Sequence, residues 1–238
     1  MKFKTNQKRF LEILDNLKKQ NYQFSFFKNK DEDKEIYLRH DVDFSLDDAV
    51  RIAEVELKKK IFSNFFFLIS SSFYNIFNNN DKLKIKKIIK MGHKVGVHFD
   101  PSIYNIKEIN RCLLREIKIF NNILNIQSNV FSLHRPRNLL NHKFSRNLIN
   151  TYDKKFIKKI KYISDSSGFF KYDDPISWLD KNNGKSIQLL LHPIWLNKNS
   201  TVEQKIFKFY KRKKIDIKKD ILENFSSKEV KRKILKGE

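Results

Sequence analysis

Two carboxylates stand one residue apart in the stretch YLRHDVDFSLDDA, residues 37–49. Asp41 and Asp43 fall where an apolar segment stops, a costly place for charge unless it has a partner. Three histidine-bearing segments end in the same way: VGVHFD with His98, VFSLHRP with His134 and LLLHP with His192. Side chains alternate between the two faces of an extended chain. Arg39, Asp41 and Asp43 therefore share a face, as do Gly96, His98 and Asp100, and His134 shares one with Ser132. His40 falls on the opposite face, against whatever covers the sheet, and His93 precedes its strand as a brace for the turn after Gly92. On neighbouring strands, Asp43, His98 and His134 converge. One carboxylate and two imidazoles make an open site for a divalent metal such as Zn²⁺, with Co²⁺, Ni²⁺ or Mn²⁺ as alternatives. Asp41, beside that ion, is placed to take a proton from water as it attacks a carbonyl. His192, if protonated, is a donor to a leaving nitrogen, and Asp165 is the residue to hold its ring and raise its proton affinity. Together these groups are equipped for amide hydrolysis. Singly, each has a plainer role, since an aspartate before a helix is commonly a cap.

Those residues need strands to carry them. EIYLRHDVD, SNFFFLIS, HKVGVHFD, NVFSLHRP, KYISDS and SIQLLLHPIWL are short apolar runs of the kind found in strands covered on both faces. Between them lie helical patterns: residues 6–19, then LDDAVRIAEVELKKK with Ser45 as N-cap and an acidic first turn, then DKLKIKKIIKMG, then 105–125. Alternating strands and helices predict βαβ units and a parallel sheet, open or closed. In such folds function gathers at the carboxyl ends of the strands, where the polar residues lie. Residues 201–236 read as a basic helical tail broken at the serine pair 226–227, with one domain spanning 1–238 and a core over about 36–195.

Composition narrows the classes. The chain has 238 residues, 40% of them apolar, with 22 Phe, which suits a globular protein and argues against disorder, and with only 5 Gly and 4 Pro its elements are expected to be long. The net charge of +23 invites a nucleic-acid partner. The lysines, however, are spread over every helix, a pattern that codon bias toward Lys, Asn, Ile and Phe also produces, so no nucleic acid is expected. A single cysteine, Cys112, rules out an internal disulfide and fits a reducing compartment. The N-terminal 20 residues lack the apolar core of a signal peptide, and no apolar run is long enough to span a membrane, so a cytoplasmic location is expected.

At the polar strand ends the sequence resembles the polysaccharide deacetylase family, carbohydrate esterase family four, particularly its intracellular sugar-deacetylase-like branch. RHDVD is similar to the first family motif, in which the leading aspartate is the base and the later one binds metal. GHKVGVHFD is similar to the second, HRP to the third, SDSSG to the fourth and LLLHP to the fifth, in order over residues 36–195. The resemblance implies an α/β fold, a distorted (β/α)₇ barrel with parallel strands, to which this chain adds the basic C-terminal extension. It also implies removal of an acetyl group from an amino sugar, with a divalent metal and no organic cofactor; a formyl group is the alternative acyl group. The sugar would be nucleotide- or lipid-linked, in surface-glycan synthesis. Two departures stand out. Where the family places a second metal histidine, four residues after the first, this chain has Ser102, and His134 stands where an arginine opens the third motif. His134 then supplies the missing ligand, with Asp100 as its rival, and Arg135 or Arg39 positions Asp41. Trp195, Trp178 and Phe99 are candidates either for apolar walls of a sugar site or for core. The other readings are a catalytically degenerate sugar-binding or regulatory barrel, and a basic nucleic-acid-binding protein acting through the tail.

Overall fold

The computed structural model describes residues 3–28, 34–136, 139–196, 201–224, 227, 229 and 231–233. The serine pair expected to break the tail falls partly outside these. Ten strands are present among the described residues: β1 (Phe3–Lys4), β2 (Gln23–Phe24), β3 (Glu35–Val42), β4 (Asn64–Phe67), β5 (Lys94–Phe99), β6 (Val130–Leu133), β7 (Ile149–Asn150), β8 (Lys161–Ser164), β9 (Phe169–Phe170) and β10 (Ile187–Leu191). The helices are α1 (Gln7–Lys19), α2 (Leu46–Lys58), α3 (Asn79–Lys90), α4 (Ile109–Leu124), α5 (Pro175–Lys181) and α6 (Val202–Asn224). Residues 1–198 form one compact unit and 199–238 another.

In the first unit the sheet runs β7-β6-β5-β4-β3-β10-β8, all pairs parallel, with β2 added beside the start of β3. These seven strands curl with helices around them into the distorted (β/α)₇ barrel that the family resemblance implies. Strands β3, β4 and β10 are buried along their whole length. Their alternation is clear from the packing. Leu38, Val42, Phe65 and Phe67 join the large core beneath the helices, whereas Tyr37 and Phe66 join Phe27 and Phe156 in a separate inner cluster. The inner face of β3 thus carries Tyr37, then Arg39, then Asp41, so apolar filling gives way to charge toward the carboxyl end.

Local chemistry sets the helix boundaries. Ser45 caps α2 by accepting from the Asp48 N–H at 3.1 Å, with Asp47 and Asp48 in the first turn. The helix expected over 105–125 begins later, at Ile109, because Asn105 first caps a single 3₁₀ turn, Ile106–Glu108. It ends at Asn125 in the left-handed conformation, φ 55°. Strands β1 and β9, which pair antiparallel, and strands β2 and β7 are each two residues long, too short to leave a periodic pattern. Gly96, on the inner face of β5, allows a close approach: a Cβ there would lie 2.4 Å from the Val130 carbonyl oxygen and 2.8 Å from the Phe66 ring. The space next to His98 is therefore filled by protein. In the second unit, α6 exposes Ile206, Phe207, Tyr210, Ile215 and Ile217. No helix among the described residues is long and apolar enough to cross a membrane.

Candidate metal and acid-base site

Strand register brings the expected groups together. β3, β4, β5 and β6 are consecutive neighbours, and β10 lies on the other side of β3. Past their carboxyl ends, His98 Nε2 lies 3.1 Å from Asp43 Oδ1 and 3.1 Å from His134 Nδ1, and His134 Nδ1 lies 3.4 Å from Asp43 Oδ1. This is a near-equilateral triangle of ligand atoms. Ligands sharing one cation at about 2.0–2.2 Å stand roughly 3.0–3.5 Å apart, so the spacing fits a single small divalent ion. Asp43 Oδ1 is buried with no hydrogen bond to satisfy it, an arrangement that favours a cation. Among the described residues Asp43, His98 and His134 are the group so placed. Burial opposes charge on Asp43, but the neighbouring imidazoles of His134 and His98 outweigh it and hold the carboxyl well below the usual range.

Asp41 lies two residues back on the same face. Arg39 donates to both its oxygens, Nε to Oδ1 at 2.9 Å and Nη2 to Oδ2 at 2.6 Å, and both residues are buried. Burial alone would raise the Asp41 proton affinity, but the Arg39 charge and the His98 imidazole lower it below the ordinary carboxylate range. Arg39 is itself anchored. Its Nη1 donates to Gln188 Oε1 at 3.3 Å, its guanidinium lies 4.5 Å from the Tyr152 ring centre, and Gln188 Nε2 donates to the Thr151 and Phe156 carbonyls. Arg135, the other candidate for this task, is exposed and stands at φ 52°, so the residue that meets Asp41 is Arg39.

His192 follows β10. Its Nδ1 lies 2.6 Å from Asp165 Oδ1, and its backbone N–H donates to both Asp165 oxygens at 3.0 and 3.1 Å. One buried carboxylate thus fixes ring and backbone together. Burial disfavours the imidazolium, but Asp165, with Asp43 and Asp41 behind it, wins and pushes the His192 pKa up to about 9. Asp165, fully buried, is raised by desolvation more than His192 lowers it. The free Nε2 of His192 lies 3.8 Å from Asp43 Oδ2, so the two oxygens of Asp43 face the paired imidazoles and His192 respectively.

The remaining expectations divide. Asp100 is not part of the triangle: its Oδ1 accepts from the Ser102 N–H at 3.0 Å and the Ser102 hydroxyl at 2.6 Å, capping a 3₁₀ turn. His40 faces the helices and meets Glu56 at 2.7 Å, and His93 braces the turn through the Ser63 N–H and the Ala53 carbonyl. Phe99 is a core residue, fully buried and stacked on Tyr104, because its position in β5 points it away from the lumen. Trp195 is half-buried over Gly168, and Trp178 packs against the core. The anchoring roles of Gln188 and Tyr152 carry no sequence signal, since a glutamine inside an apolar strand and a tyrosine in a loop have many uses.

No family model and no curated protein matches the chain. Among solved structures it is similar to BA3943, a CE4 family pseudoenzyme from Bacillus anthracis, at 16% identity and TM-score 0.44 over 74% of this chain and 60% of that one. It is similar to the Bdellovibrio bacteriovorus peptidoglycan deacetylase Bd3279 at 15% identity and TM-score 0.44, over 81% and 54% of the two chains. A Streptococcus mutans CE4 esterase is similar at 15% identity and TM-score 0.46, over 89% of each chain. The chain thus spans a little over half the length of BA3943 and Bd3279. CE4 is the family that the five motifs resemble.

Proposed function

We propose that this protein hydrolyses the N-acyl group, acetyl or alternatively formyl, of an amino sugar, with Asp43, His98 and His134 holding a divalent cation, zinc first among the candidates. The observation that carries it is the ligand triangle standing between two differently tuned groups, Asp41 clamped by Arg39 and His192 tethered to Asp165. The cation, when bound, polarises the acyl carbonyl and acidifies water. Asp41, kept ionised by Arg39, takes one proton from the water whose oxygen bonds to the acyl carbon. The carbon–nitrogen bond then breaks, and the nitrogen departs as an amine with a proton from His192 Nε2. The acyl product, a carboxylic acid, gives the second water proton to solvent, Asp41 likewise loses its proton and His192 regains one, so that the products are a carboxylate and a free amino sugar. The buried, unpaired Cys112 fits a reducing compartment, and a nucleotide- or lipid-linked sugar would gain from the net charge of +23.

A sugar-binding protein without turnover is the second reading. What favours it is the full engagement of Asp41, both of whose oxygens accept from Arg39, which weakens it as a base. Elemental analysis and acetate release from a panel of N-acetylated amino sugars decide between them. We expect about one zinc per chain, lost in His98→Ala, and turnover on at least one sugar that falls about 10²–10⁴-fold in Asp41→Asn with the zinc retained. Full metal occupancy with Asp41→Asn as active as the wild type overturns the proposed mechanism.

A further inference from the structure

The contacts between β5 and β6 extend this reading of the cation site, on which the inference rests. We propose that Ser132 is a positioning residue: its hydroxyl holds His98 in the Nδ1–H form, turns the Nε2 lone pair toward the cation, and ties that ligand to Asp41.

Ser132 is fully buried, and the parallel register sets it opposite His98. Its Oγ lies 2.6 Å from His98 Nδ1 and 3.3 Å from Asp41 Oδ1. A serine hydroxyl has one proton to give. Asp41 is paired with an always-charged guanidinium at 2.6 Å, so its oxygens only accept, and the hydroxyl proton of Ser132 goes to Oδ1. The remaining lone pairs of Oγ then face His98 Nδ1, which must be the N–H. The other ring nitrogen carries its lone pair, and it is the atom 3.1 Å from both Asp43 Oδ1 and His134 Nδ1. Metal-bound imidazoles commonly have their tautomer set by the partner of the second nitrogen. Here that partner is a hydroxyl shared with the proposed base. One connected path therefore runs from Gln188 through Arg39, Asp41 and Ser132 to His98, linking β10, β3, β6 and β5.

The test uses full-length protein and two measurements. Nitrogen chemical shifts of the histidine rings in metal-free wild-type protein should show His98 protonated at Nδ1. Zinc affinity, read by competition with a chromophoric chelator, should fall about 10–100-fold in Ser132→Ala and be largely recovered in Ser132→Thr, which keeps the hydroxyl. His98 protonated at Nε2 in the metal-free wild type, or Ser132→Ala binding zinc as tightly as the wild type, overturns the assignment. A wild-type chain that takes up no zinc overturns the cation site itself, and the tautomer measurement still decides what Ser132 does to His98. It also decides if Ser132→Ala does not fold.

Discussion

Replacing Asp165 with asparagine should convert His192 from a charged to a neutral ring at neutral pH. In the native chain burial opposes the imidazolium, but the Asp165 carboxylate 2.6 Å away, with Asp43 and Asp41 behind it, outweighs it and the pKa is pushed up to about 9. An unperturbed histidine titrates near ~6.5, and each pH unit corresponds to about 1.4 kcal/mol, so the environment favours the imidazolium by about 3 kcal/mol. Asparagine removes the charge but keeps the shape. Burial, which disfavours the cation, then stands against only the more distant Asp43 and Asp41 carboxylates, and the midpoint should fall toward the ordinary ~6.5. At pH 7.5 the protonated fraction would then fall from nearly complete to about one-tenth. The assay is a carbon- and nitrogen-detected titration of the metal-free protein. Only six histidines need resolving, and His192→Gln identifies the signal. In turnover, the alkaline limb of the rate profile should move down by about two pH units, with activity returning toward pH 6. A wild-type His192 that titrates at or below 6.5, or a midpoint unmoved by Asp165→Asn, would refute the assignment of Asp165 as its tether.

Two further changes probe the scaffold. Gly96→Ala would put a Cβ 2.4 Å from the Val130 carbonyl oxygen, a backbone atom that cannot swing aside, and should cost about 1–3 kcal/mol in denaturant unfolding. An unchanged midpoint would show that β5 and β6 part easily. Arg39→Met leaves the buried Asp41 charge without its partner and should destabilise by about 3–5 kcal/mol, whereas Arg135→Met, at an exposed position, should stay within about 0.5 kcal/mol. Equal effects in unfolding experiments would show that Arg39 is not the residue holding Asp41.

Much of the scaffold was legible because its strands are covered on both faces, and NFFF or IQLLL can hardly be anything else between helical segments. Period-two alternation was enough to aim Asp41, Asp43 and His98 inward and His40 outward. It failed where the backbone leaves regular geometry. Alternation puts Asp100 on the face of His98, yet an asparagine, serine or aspartate can cap a turn without announcing it, as Asp100 does; Arg135 entered only through the family resemblance and stands exposed at φ 52°. Ser132 was assigned to the correct face, but its bridging position depends on the register of β5 against β6, which no single strand encodes. The two-residue strands were invisible for want of length.

The borders of the sheet have a consequence for solubility. NFFF, the kind of segment that templates cross-strand assembly, lies deep inside, paired on both sides by β3 and β5. At one border stands β7, only two residues long, and at the other β8, four residues beginning with a lysine. Neither offers a foreign chain enough free backbone groups to add a strand. The phenylalanine-rich strand is thereby kept from the sheet borders, and its backbone groups are free to pair with another chain only before β3 and β5 have joined it.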